Sequence, residues 1–327
     1  MVTVLSLLAG GAPLTTMVVD DAALARVEIR LAAASLPLAR AIRPPRVAGA
    51  TIDVDIDGDG LLVRIDAVPD QLIPAVNAAV WSLFRPRPKG GQAACLARHR
   101  DAAFSPEARH DHLVQVGISG VVEHCADARR AAVRRDAKAL KTAALAVVAA
   151  GRFDSAGLAL ALVPLGEHPA WHAPTREPLE DHVIDDMFPG VTQPRVTIAW
   201  ASSGSADAAR DTVLADGYSA RASYRLRQAE ALVYGVAYAR SGGVATATVV
   251  TDAGNEARVE RELRQELTRP ITADEEHTAL ARQMADARAS TDSIGSMVDA
   301  VWHPAAESVS PVPQEVMTFI SVGEPRR

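Results

Sequence analysis

Cysteines and aromatic residues are scarce in this sequence, and that scarcity removes several classes of protein. Only Cys95 and Cys125 are present, and Phe, Trp and Tyr together make up 4% of the 327 residues. Two cysteines are too few for a disulfide framework, and neither sits in a paired-cysteine metal spacing, so a reducing cytoplasm is the expected compartment. No basic run is interleaved with aromatics, which argues against a stacking platform for single-stranded nucleic acid. The net charge of −6 and pI of about 5.9 argue against a broad electrostatic grip on a phosphate backbone. No stretch approaches the ~18–20 apolar residues that would span a bilayer. The opening run "MVTVLSLLAGGAP" lacks a basic n-region and is short, so it reads as a first β-strand and not as a targeting segment.

The usual catalytic motifs are missing as well. There is no G-x-S-x-G elbow, and "SSGSAD" (202–207) lacks the leading glycine. No glycine-rich turn carries the lysine and hydroxyl of a phosphate loop. Among nine histidines, neither orientation of the two-histidine zinc helix occurs. Glu123–His124, Glu167–His168 and Glu276–His277 each supply the end of H-x-x-E-H, but Gly120, Pro164 and Ala273 stand where the first histidine belongs. His110 and His112, two residues apart, cannot share a helix face and read as a surface loop. "DVDIDGDGLLVR" imitates a calcium loop through Asp53, Asp55, Asp57 and Gly58, yet Arg64 holds the place of the bidentate glutamate. A solvated hairpin accounts for the same residues. No metal site is expected in this chain.

What is present is a soluble globular composition, 48% hydrophobic and 23% charged. The proline-rich seam "PLGEHPAWHAPTREPLED" (164–181) divides it. The expected organisation is a first domain over 1–165, a linker over 166–182 and a second domain over 183–327. Residues 52–67 read as a hairpin, and 69–84 as a helix with Leu72, Val76, Val80 and Leu83 on one face and Asp70 available as its cap. In the second half, "PRVTIAWAS" is a strand with Val196, Ile198 and Trp200 on one side, and "VYGVAYAR-SGG-VATATVVT" is a hairpin. Thr272 and Glu275 are spaced as a capping box. Each half runs hairpin, helices, strand. The fold class is therefore α+β, used twice: two similar domains, each a mostly antiparallel sheet covered by helices, in keeping with a remote duplication.

One stretch says more. "LRQAEALVYGV" (226–236) passes from helix formers into a β-branched and aromatic strand, placing Arg227 near a helix end and Tyr234 near a strand start. From composition alone these are a surface arginine and a half-buried tyrosine. The longer segment "SYRLRQAEALVYGVAYARSGGVATATVVTDAGNEARVERELRQEL" resembles the C-terminal domain of the pitrilysin/insulinase (inverzincin) metallopeptidases, which include mitochondrial processing peptidase. The resemblance rests on Leu226, Arg227, Leu232, Tyr234 and Val236, then Gly242–Gly243 and a helix from Asn255. Ala231 stands where the family usually has glycine.

That resemblance implies one half of a clam-shell, with fold and residue roles to match. The family's zinc helix would lie between residues 27–35 and the hairpin from residue 50, where only "LPLARAIRPPRVA" is found. The resemblance therefore implies a non-zinc subunit, like the zinc-free partner in heterodimeric bacterial peptidases. No cofactor is expected in this chain, and zinc is expected in a partner subunit of the same family. Arg227 would orient a peptide substrate and Tyr234 would stabilise the oxyanion. A retired peptidase fold serving as a scaffold or peptide-binding protein is the alternative.

Overall fold

A computed structural model describes residues 2–9, 12–32, 36–57, 60–86, 91–119, 125, 130–171, 183–241, 243–289, 293–302, 304–313 and 318–323. No helix among them is long and apolar enough to cross a membrane. The chain divides into two compact units, and neither is one contiguous stretch. Unit 1 is Met1–Cys95, His124–Pro174 and Asp286–Pro304; unit 2 is Leu96–Glu123, Thr175–Ala285 and Ala305–Arg327.

Unit 1 is built on six strands: β1 (Val2–Ala9), β2 (Ala12–Val19), β3 (Ala25–Leu31), β4 (Ala50–Asp57), β5 (Gly60–Ala67) and β6 (Leu145–Gly151). They lie in the order β1-β2-β6-β3-β5-β4, antiparallel except for β2 with β6. The opening segment is indeed a strand, and the calcium-like sequence is the β4–β5 hairpin. Alternation assigns the faces. Val27, Ile29 and Leu31 join Val63, Ile65, Val147 and Ala149 in a core closed by α2 (Pro69–Leu83) and α6 (Ser155–Leu162). The face of α2 is the one expected, with Leu72, Val76, Val80 and Leu83 buried, but Asp70 is not its cap. Pro69 takes the first helical position and Val68 the cap position, which leaves Asp70 inside the first turn.

The other face of this sheet carries Arg26, Glu28 and Arg30. Arg26 pairs with Asp66 at 2.6 Å, and the fully buried Glu28 accepts from Arg64 at 2.8 Å. The Arg30 guanidinium lies 4.5 Å from the ring centre of Trp302 and 5.7 Å from that of Trp171, a cation–π arrangement. Helix α11 (Ile294–Trp302) covers this face through Val298, which packs on Met17, Val148 and Ala150.

Unit 2 repeats the plan with β7 (Val183–Met187), β8 (Arg195–Ala201), β9 (Val233–Ser241), β10 (Val244–Thr251) and β11 (Thr318–Gly323), ordered β7-β11-β8-β10-β9. Only β7 with β11 is parallel. Matching β2 to β7, β6 to β11, β3 to β8, β5 to β10 and β4 to β9 superposes the two orders, so the duplication invisible in the residues is present in the topology. Val196, Ile198 and Trp200 point into one core, as their spacing predicts, against Val259, Leu263 and Leu267 of α9 (Glu256–Thr268).

One helix before the last strand of each half is exchanged between the units. In the first half, α3 (Gly91–Phe104), α4 (Pro106–Ser119) and α5 (Arg130–Ala139) precede β6; in the second, α10 (Ala273–Ala289) and α11 precede β11. Helix α4 packs on β11 and β8 of unit 2, while α11 packs on β6 and β3 of unit 1, so each covers the equivalent strands. His110 is therefore no loop residue. It sits on α4, almost fully buried, with Nε2 3.0 Å from Thr197 Oγ1. Burial pushes its pKa down, because a charged imidazole there would lose its hydration.

Arg221 ties three helices of unit 2 together. It lies in the short turn α8 (Arg221–Ser223), donates to the C=O groups of Glu266 and Pro270 and also to that of Arg269, and forms a forked pair with Glu275. The expected capping box is present: Thr272 N–H and hydroxyl donate to Glu275 Oε2, each at 2.9 Å, and Glu275 N–H returns to Thr272 Oγ1 at 3.3 Å. These donors, Arg221 first, pull the Glu275 pKa down to about 2 from 4.5. A depressed carboxylate pKa stabilises the fold fully above the unfolded value and stops doing so as the carboxylate is protonated. The stability contributed by Glu275, about 3 kcal/mol at most, is thus lost as pH falls from about 4.5 towards 2. Acid titration of unfolding should lose that component in Glu275→Gln.

Candidate functional site

The site begins where the second-half helical run breaks. Helix α7 (Gly204–Leu214) ends before Gly217, whose φ of +113° turns the chain and whose missing side chain leaves room for Arg282. After α8 the chain makes a π-helical turn, Tyr224–Ala229, with Leu226 fully buried as its anchor. Glu230 N–H reaches Arg225 C=O at 3.0 Å, and Leu232 N–H reaches Leu226 C=O at 2.8 Å. This is a Schellman-like closure, one residue wider as a π-turn requires. Ala231 makes the closure with φ +49°, the one positive-φ non-glycine residue among those described. This is the position where the resembled family carries glycine, and the backbone supplies the reason. An L-residue in the left-handed region costs roughly 1–2 kcal/mol, against roughly 0.5–1 for the lost freedom of a glycine. Ala231→Gly should raise unfolding stability by about 0.5–1 kcal/mol, read as a shift in denaturant midpoint.

Strand β9 follows at once. Val249 of β10 faces Val236, whereas Thr251 faces Val233, so Tyr234 and Gly235 together oppose the single Val250. That extra residue is a β-bulge, and it re-aims the side chain. Val233 packs in the core, as do Val236 and Tyr238, but Tyr234 is turned outward and is 62% exposed. Its phenol donates to Asp252 Oδ1 at 3.3 Å. Arg227, also exposed, lies with its guanidinium 5.1 Å from the ring centre of Tyr218. Its neighbours are ion-paired, Arg225 with Glu230 and Glu262 and Arg258 with Glu230. Among the described residues no carboxylate pairs with Arg227, and no hydrogen bond joins it to Tyr234. All four tyrosines fall between 218 and 238, and three of them, Tyr218, Tyr224 and Tyr234, are exposed around this turn. That concentration, in a chain so poor in aromatics, is readable in the sequence, although no catalytic motif contains it.

Beneath the site lies a polar core that sequence reasoning missed. Asp211 is completely buried and accepts from Trp200 Nε1 (2.9 Å), Ser202 Oγ (2.5 Å), Arg210 Nε and Nη2 (3.0 Å each) and Tyr238 OH (3.0 Å). Burial raises the Asp211 pKa, with Arg210 and the hydroxyl and indole donors opposing the shift. The Tyr238 phenol is raised too, by burial and then by the adjacent Asp211 charge. Ser202 also receives Arg240 Nε at 3.0 Å, so the serine of "SSGSAD" is a structural hydroxyl. This network pins β9 to β8 and α7 close below the bulge.

Zinc does not fit the position the resemblance assigns to it. Helix α1 (Leu36–Ala41), which follows β3, reads LPLARA and contains no histidine or glutamate. The two cysteines, the softest ligands available, are bonded to each other.

No family model matches the sequence, and no curated protein does. Solved structures match the fold over nearly the whole chain. The peptidase M16 inactive domain from Pseudomonas fluorescens has a TM-score of 0.72 at 14% identity, covering 99% of this chain and 98% of its own. A protease from Helicobacter pylori has a TM-score of 0.70 at 11% identity, covering 99% and 100%. A chain of Complex III2 from Candida albicans has a TM-score of 0.68 at 13% identity, covering 99% and 96%. This protein therefore has the peptidase M16 fold, the pitrilysin-type α+β fold that the residues around Arg227 and Tyr234 suggested.

Proposed function

We propose that this chain is the zinc-free subunit of a two-chain zinc peptidase, supplying Arg227 and Tyr234 to a peptide held at the partner's metal. One observation carries the reading. Both side chains are aimed outward by costly backbone: a π-turn, a left-handed alanine and a bulge. A hairpin serving only as structure needs none of these, and such irregularities concentrate at functional sites. The physical need is clear. Attack on an amide gathers negative charge on the carbonyl oxygen, and a phenol O–H aimed there stabilises it. A forked guanidinium without a carboxylate partner is free to hold peptide carbonyls. In this chain Tyr234 rests on Asp252, so the phenol must leave that carboxylate to serve the oxyanion. The partner would hold zinc and its activated water, and leader-peptide processing is a use this division of labour suits.

The second reading, a scaffold or peptide-binding protein with a retired peptidase fold, draws on the Complex III2 and inactive-domain neighbours. Metal analysis of the purified chain alone tests the primary reading. The expected result is less than stoichiometric divalent metal and no cleavage of a quenched-fluorescent peptide. One tightly held divalent ion per isolated chain, with cleavage, would overturn it.

A further inference from the structure

The two cysteines, unremarkable in the sequence, form one disulfide, and its position in the chain is informative. Unit 1 runs to Cys95, the chain departs into unit 2 for Leu96–Glu123, and unit 1 resumes at His124. The bond joins Cys95 to Cys125, with Cα atoms 5.5 Å apart. It therefore closes the base of the loop that carries α4, joining Cys95 within α3 to Cys125 ahead of α5. The enclosed loop carries α4, which is fixed to unit 2 by the Arg109–Asp186 ion pair and by His110 on Thr197. We infer that this protein works in an oxidising compartment, where the Cys95–Cys125 disulfide is a permanent staple at the base of that loop.

The chemistry of the two sulfurs supports permanence. Cys95 is completely buried, and Cys125 is partly exposed. A reducing dithiol would attack Sγ of Cys125 as its thiolate, forming a mixed disulfide and expelling Cys95 as a thiolate. Its second thiolate would then release Cys125, giving the oxidised reductant and two cysteine thiolates that each take up a proton. The first leaving group would have to appear as an anion on a completely buried sulfur, which disfavours the step, with the His99 imidazole, within 4.8 Å of both sulfurs, as the group that opposes this. A redox switch needs the opposite, an easily expelled thiolate. A disulfide of this kind is maintained where no thiol pool works against it. Its benefit is entropic, since cross-linking the ends of a long excursion restricts the unfolded chain. The inference stands apart from the proposed peptidase role and runs against the cytoplasmic expectation drawn from cysteine count.

The test is thiol accounting on protein recovered from its own host, acid-quenched, unfolded without reductant and treated with iodoacetamide. The expected mass gains no alkyl groups, and two after prior reduction. Two alkyl groups without reductant would overturn the compartment. In a second arm, protein reduced while unfolded and refolded with reductant present, and the Cys95→Ser/Cys125→Ser double variant, should each melt roughly 5–15 °C lower. Unchanged melting in both would overturn the staple.

Discussion

Under the proposed two-chain reading, Tyr234→Phe is expected to lower kcat of the assembly by about 10²–10³-fold, the effect of removing one donor from an oxyanion site. The substitution keeps the ring and deletes only the hydroxyl. Because the ring is mostly exposed and the lost hydrogen bond to Asp252 is long, the fold should be unaffected. KM should change little, since the bond is made as charge develops and not in the ground state. Arg227→Ala should behave differently, raising KM as well, because a guanidinium on peptide carbonyls acts before and during the reaction. A Tyr234→Phe protein with full kcat would remove the phenol from the mechanism and leave the scaffold reading.

The largest effect on stability is expected at Asp211. Asp211→Ala should cost about 3–5 kcal/mol, the range for stripping one partner from a buried charged network. Arg210 would keep its charge at 5% exposure with only Asp207 and a backbone carbonyl to answer it. Trp200, Ser202 and Tyr238 would each keep a donor without its acceptor, and such orphaned groups are expensive. Asp211→Asn should lose less, since one oxygen still accepts. The measurement is denaturant unfolding followed by tryptophan fluorescence. A loss below about 1 kcal/mol would mean that the apolar core alone holds β9 in place.

The sequence displayed what depends on period and local chemistry. Val196, Ile198 and Trp200 alternate because one sheet face is buried, and Thr272 and Glu275 make their box because both partners lie within three residues. Long-range decisions were hidden. Nothing local to residues 96–123 reveals that α4 covers the sheet of the other half, and without that His110 looked like a loop histidine. The Cys95–Cys125 bond was hidden for the same reason, since it depends on where the exchanged segment returns. Asp211, flanked by arginine and threonine, looks like any helix-surface acid until β8 and β9 close over it. The bulge lies between these cases. Core positions Val233, Val236 and Tyr238 are spaced by three and then two, a break in alternation that could have singled out Tyr234. Ala231 also left a trace, standing where the resembled family has glycine, and its positive φ explains the difference.

The most direct test of the central claim is reconstitution. This chain and a zinc-bearing M16 peptidase subunit from the same organism are purified separately and mixed, and cleavage of a fluorogenic peptide is followed as the ratio varies. The account predicts negligible cleavage by either chain alone and activity that saturates at one to one. Full activity from the zinc-bearing subunit alone, unchanged by adding this chain, would contradict it.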